Sequence, residues 1–394
     1  MRIFLQKCSI AAVVVCLSAQ PLSAKDRILD VHHFGFGGGS DGVQPEAPPA
    51  IDPQGNLFGT TAFGGGKGCG GEGCGVVYEV SPVQGGGWSE SVLYSFQGAT
   101  DGLGTRAMFA RDPSGALYGS DAVGQFDEDS QVYRLSPPVT GEAWSLSVLY
   151  VFDHTQGIFL DTDTPLIYRQ DGIYGLTTNT SGGGTLFRLT PPQDGTTWVL
   201  NTLFTFTNEG TPTSAASSPD GQTIYVAIGN SVVSVSPPQA KGGGWTQTLL
   251  YEFKGGRDGE GPASIVAGGD GAIYGTADLP EGRSIAFALT SDGSHWRKTT
   301  LKTFGRLGEP VLTWSPSGSL YGTSYGDQDT KPGSAFRLDP PMDRVGRWTY
   351  VELANFRRGP SENPIGLTLD ARGRVFGTLE GQYDGGAVFE LRNP

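Results

Sequence analysis

Charge is sparse in this sequence and histidine sparser. Of 394 residues, 17% are Asp, Glu, Lys or Arg, and there are four histidines, four cysteines and three methionines. So few charges, with no apolar spacing of helical period, exclude a coiled coil or a helical bundle. The shortage of His and Cys leaves no set of four ligands for a structural zinc site. Lys and Arg (27) are outnumbered by Asp and Glu (40), and the net charge is −13. A nucleic acid is therefore excluded as the partner of the whole molecule, because phosphate attraction needs surplus base. No apolar run is long enough to span a bilayer. Glycine (62), proline (26) and aromatics (10%) are what the chain has instead. That mixture predicts a turn-rich, all-β fold with enough aromatic mass to build a core.

The first 24 residues read as a cleaved export signal: Arg2 and Lys7, an apolar stretch from Ile10 to Leu17, and a small-residue end at Ala24. The mature protein, from residue 25, is expected in the periplasm or the medium as a monomer. Cys8 and Cys16 leave with the signal. Cys69 and Cys74, on one glycine-rich loop in an oxidising compartment, are expected to form a local disulfide.

An internal repeat carries the fold. Trp88, Trp144, Trp198, Trp245, Trp296 and Trp348 are each followed eight positions later by Phe: Phe96, Phe152, Phe206, Phe253, Phe304 and Phe356. The intervals between tryptophans drift while this offset holds, so a rigid strand carries the pair and the loops absorb the length variation. Side chains alternate along a strand, so an even offset predicts that Trp and Phe share one face. A seventh copy, Leu29-Asp30-Val31-His32-His33-Phe34, opens the mature chain with Asp26 in the Trp slot. Each copy continues with a short apolar run and a turn such as Asp52-Pro53-Gln54-Gly55, where Asp caps and Gly takes positive φ. A second strand of the type Leu57-Phe58-Gly59-Thr60 follows, then a glycine-rich loop, then a third strand of the type Val76-Val77-Tyr78-Glu79-Val80.

Seven four-stranded units of about 53 residues predict a seven-bladed β-propeller of antiparallel blades over 25–394. The last copy lacks its outer strand and the N-terminus has one to spare. Pairing 26–35 with 386–392 closes the ring and removes two open sheet edges.

The pattern Trp-x7-Phe, Asp-Gly, Gly-x-Leu-Tyr-Gly-Thr, Gly-Gly and Val-Phe-x-Leu-x-Pro, clearest at 55–60, 76–82, 115–120 and 318–323, resembles the GloVer-type tandem repeat of exported bacterial proteins. More loosely it is similar to NHL-type propeller repeats. The resemblance implies a secreted β-propeller and supplies no catalytic residues.

In a propeller, the loops from outer strand to next inner strand and from second to third strand emerge on one face. Here they carry Asp41, Asp101, His154, Asp258, Asp127 and Asp327, so this face is glycine-rich and acidic. With Trp314, the one tryptophan outside the repeat phase, these are the candidate ligand-binding residues. Asp127, Asp129, Asp327 and Asp329 are the candidate ligands for Ca²⁺, which takes several hard oxygen donors. The plainer reading of every Asp-Gly here is turn chemistry. Two function classes follow. One is a binding module for a glycan or protein, with or without Ca²⁺. The other is an extracellular hydrolase or lyase on carbohydrate or phosphoester, using loop carboxylates. Letter matches to nucleotide loops at 64–67 and 68–73, and to a nucleophile elbow at 38–42, lack the strand-to-helix context that those chemistries require.

Overall fold

The computed structural model describes residues 28–35, 40–98, 101–104, 106–122, 129–139, 141–192, 197–207, 209–305, 310–326, 332–342, 346–356, 363–381 and 385–392. The export signal, Asp26, Asp127, Asp327 and Asp329 lie outside them. Among the described residues no helix is long and apolar enough to cross a membrane.

The strands order into seven antiparallel sheets, each built on four strands in sequence from the axis outward. In the last sheet the order is Asn363–Leu369, Val375–Glu380, Ala387–Leu391 and then the N-terminal strand Ile28–His33. Ile28 pairs with Leu391 and His33 with Ala387. The ring is thus closed by its first and last strands, as the repeat arithmetic requires. Asp caps form the turns between first and second strands. Asp52 Oδ1 accepts from the amides of Gln54 and Asn56, both at 2.9 Å. Asp112 and Asp370 repeat this on Ser114 and Ala116, and on Arg372 and Arg374.

One expectation is corrected. Trp and Phe of each outer strand face opposite ways, because every outer strand carries a β-bulge three residues before its Phe. In the first blade Tyr94 pairs with Val77 and Val92 with Tyr78, leaving Leu93 between them unpaired. The same slip falls at Leu149, Leu203, Leu250, Leu301, Leu353 and, in the closing strand, Val31. An extra residue inverts the alternation beyond it. The tryptophan then packs back on the preceding blade: Trp144 on Phe58, Trp296 on Tyr225, Trp348 on Tyr274, and Trp88 on Phe376 across the closure. The phenylalanine packs forward on the next: Phe96 on Tyr133, Phe253 on Phe287, Phe356 on Phe389, and Phe34 on Tyr78. Each seam therefore holds its own aromatic core. Every such Phe is buried, which contributes about 2 kcal/mol apiece.

The glycine of the Tyr-Gly-Thr motif has a packing cause. It pairs across the ladder with the third-strand aromatic, as Gly275 with Phe287 and Gly322 with Phe336. That ring lies flat over it. A methyl carbon on Gly275 would sit 2.7 Å from Phe287 Cζ. The fourth blade has Val226 in this slot and, opposite it, Val233 in place of the aromatic.

Candidate ligand-binding face and channel mouth

The loops from outer to next inner strand hold three of the expected acids, each bound into its own turn. Asp101 accepts from Tyr94 Oη at 2.8 Å and from the amides of Gln97 and Gly98 at 2.9 Å. Asp258 accepts from Tyr251 Oη at 2.8 Å and the Lys254 amide at 3.0 Å, and pairs with Lys298 Nζ at 2.9 Å. Both tyrosines stand two residues before the forward-packing Phe. Burial, reinforced by Asp258, pushes the Tyr251 hydroxyl up to about 12. In the closing blade His32 takes the tyrosine's place, edge-on to Phe34 with Nε2 3.6 Å from Asp41, which also accepts from the Gly35 amide at 3.2 Å. Burial lowers the His32 pKa, so a near-neutral imidazole stands where the other blades place a phenol.

Asp129 and His154 form a second group on this face. His154 Nδ1 lies 2.8 Å from Asp129 Oδ1, and the His154 amide donates to the same oxygen at 3.0 Å. Those hydrogen bonds hold the Asp129 carboxyl below the usual range. Asp153 completes a trio whose ligand atoms lie within 4.8 Å of one another, while capping its own turn through the Thr155 amide at 2.9 Å. Two carboxylates and an imidazole are fewer donors than the six to eight oxygens of Ca²⁺. Of the four expected Ca²⁺ ligands only Asp129 is among the described residues, and its neighbours there are His154 and Asp153. Cys69 and Cys74, in the loop between second and third strands of the first blade, are disulfide-bonded.

The central channel holds a constellation the sequence reading missed. In the first and third blades the inner strand is interrupted, at 46–49 and 161–166, and in the second only Ala110–Arg111 is strand. Glu46, Asp161 and Asp163 lie in the interruptions, and Arg106 precedes the short strand. Glu46 is mostly buried, which raises its pKa. The guanidinium of Arg106, 3.2 Å away, opposes that rise, and the charges of Glu380 and Asp163 add to it. Residues of the first, second, third and seventh blades can act on one carboxyl only across the channel. Tyr325, just past the second strand of the sixth blade, is pushed up to about 12 by burial and by the fields of Glu380 and Glu46. Burial also raises the Asp161 carboxyl, which accepts from Thr164 Oγ1 at 2.7 Å. Three or more carboxyl groups thus share a part-buried mouth with one guanidinium. Such a site attracts positive charge, and burial raises the pKa of its Glu46 and Asp161 carboxyls. The available signal was the pair of breaks Glu46-Ala47-Pro48-Pro49 and Asp161-Thr162-Asp163-Thr164-Pro165, where other copies run smoothly.

Trp314 lies away from all of these. It ends the inner strand Val311–Trp314, at the lower face, and stacks on Tyr274 of the preceding blade at 5.0 Å and 17°.

No family profile matches the chain, and no curated protein matches it in sequence. Solved structures do share its architecture. A candidate 6-phosphogluconolactonase from Bacteroides fragilis superposes with a TM-score of 0.51 at 15% identity, over 84% of this chain and 94% of that one. A second from Bacteroides uniformis gives 0.50 at 17%, over 85% and 98%. Chaetomium thermophilum Sqt1, solved bound to the N-terminus of ribosomal protein L10, gives 0.52 at 16%, over 91% and 100%. The chain is a seven-bladed β-propeller. At these identities the likeness speaks for the fold alone, since one propeller frame carries many chemistries.

Proposed function

We propose that this chain is an exported repeat propeller of the GloVer-type pattern, and that it works as a binding module with its ligand at the acid-lined channel mouth. What supports the reading is Glu46 paired with Arg106 of the second blade at 3.2 Å, with Asp163 of the third blade and Glu380 of the seventh close enough for their charges to act on the same carboxyl. A ligand suited to it presents positive charge or hydroxyls: a basic protein segment, or a glycan with Ca²⁺ bridging its hydroxyls to the carboxylates. The turn-bound acids Asp41, Asp101 and Asp258 would shape the loops around that mouth, and Asp129 with His154 would flank it. The test is a glycan array and a pull-down, each with and without Ca²⁺, using the wild type and the Glu46→Gln/Glu380→Gln variant. Ligands held by the wild type should be lost by the variant. Equal retention by both proteins would refute the assignment.

Glu46 favours one second reading. A carboxyl whose pKa is raised by burial, set close to other carboxyl groups, is the kind of pairing that acid/base hydrolysis or elimination uses. Turnover of neutral glycosides or phosphoesters, abolished by Glu46→Gln, would establish it.

A further inference from the structure

The lower face carries a groove of ≈ 1200 Å³ between the fifth and sixth blades. One wall is aromatic. Tyr274 is buried, with Trp314 stacked on one side at 17° and Trp348 edge-on at 5.5 Å and 65°. Trp314 and Trp348 are both half-buried and line the groove. The lining also holds the hydroxyls of Thr290, Thr299 and Ser317. Among the described lining residues there is no Lys, Arg or Glu. The one charged group among them, Asp270, is engaged by Tyr274 Oη at 2.8 Å and the Ala272 amide at 3.2 Å.

Packing alone does not require a tryptophan here. At the same slot, the inner-strand residue paired with the one before the second-strand ring, the other blades hold Ile51, Arg111, Tyr168, Ser217, Ala267 and Leu369. Two of these cover the second-strand ring of the preceding blade, Arg111 over Phe58 at 5.9 Å with a guanidinium and Tyr168 stacked on Tyr118 at 5.9 Å and 27°. Only the sixth blade sets an indole in the slot. Tyr274 covers one face of that indole, which leaves the other for a flat apolar ligand surface.

We infer that this groove binds an uncharged oligosaccharide, with a pyranose ring laid on the open face of Trp314. A sugar ring offers an apolar C–H face to the indole and a rim of hydroxyls to Thr290, Thr299 and Ser317, which can both donate and accept. A phosphorylated ligand finds no counter-charge among the described lining residues. A proline-rich peptide competes for the same aromatic wall and hydroxyl donors, and decaproline binding is its outcome in the test below. The volume exceeds the roughly 300–1,000 Å³ of small-molecule pockets, so the groove fits several linked rings. The site is at the opposite end of the molecule from the channel mouth and does not depend on it.

The test is calorimetric titration, with tryptophan fluorescence, of the mature protein against maltohexaose, cellohexaose and laminarihexaose. Trp314→Arg and Trp314→Leu are the variants, because Arg and Leu already occupy this slot in other blades and should fold. At least one hexaose should bind saturably and shift the fluorescence, and both variants should weaken it at least tenfold with an unchanged melting temperature. The Glu46→Gln/Glu380→Gln variant should bind the hexaose as the wild type does. Silence from all three sugars, undiminished binding by both folded variants, or binding of a decaproline peptide in their place would overturn the inference.

Discussion

The pairing of Gly275 with Phe287 predicts a strong non-additivity that a double-mutant cycle would measure. Phe287→Val removes most of a fully buried ring that also meets Phe253 at 5.0 Å, at a cost of about 2–3 kcal/mol. Gly275→Val alone drives new carbon into space where a single added atom already lies 2.7 Å from Phe287 Cζ and 3.0 Å from Ile265 Cγ2. Overpacking of this kind costs about 1–3 kcal/mol. Made together, the two valines reproduce the pair that the fourth blade carries at Val226 and Val233. The second valine then fills part of the space that the ring vacated. The double variant should lose about 2 kcal/mol less than the two single losses combined, within the range of couplings between contacting residues. Urea unfolding followed by tryptophan emission, on all four proteins at one temperature, reads the coupling. Costs that add to within about 0.5 kcal/mol would mean that the glycine is not there for the ring.

Removing residues 1–34 strips the outer strand from the last blade and exposes the edge of Ala387–Leu391. The shortened chain should associate or aggregate by light scattering, and a synthetic peptide of residues 26–35 should reverse this; a monomer melting where the full protein melts would contradict the closure. Burial, with the nearby charge of Asp101, raises the Asp121 carboxyl well above 3.8. The folded chain therefore keeps a proton that the unfolded chain releases, and stability falls as pH rises from about 3.8 toward the raised value, by at most about 1.4 kcal/mol per unit. Asp121→Asn should thus gain on the wild type at pH 7 and match it near pH 4 in thermal melts, and an equal difference at both would refute the assignment.

Blade number, strand order and ring closure were legible because each depends on residues repeated at a fixed offset, Trp88 to Phe96 and its copies. The facing of those residues was not. A bulge at Leu93 leaves no special letter, since leucine is as ordinary at a slipped position as at a paired one, and only the ladder shows that alternation has inverted. The turn role of Asp101 and Asp258 could be read, because the Asp-Gly signal is local. The channel group could not. Glu46, Asp163 and Glu380 share no spacing, and closure of the whole ring is what brings them together. Trp314 announced itself by standing out of phase, but its end of the blade was settled only by which strand it terminates.

Since residue 28 pairs with residue 391, Ile28–His33 has no sheet partner until Ala387–Leu391 has been made. For nearly the whole of synthesis the seventh sheet is missing its interior, and the first blade has no neighbour on the side that Trp88 fills. No truncated product can imitate the finished ring. Ala387–Leu391 therefore decides whether Ile28–His33 is sheltered in the ring or left for a protease.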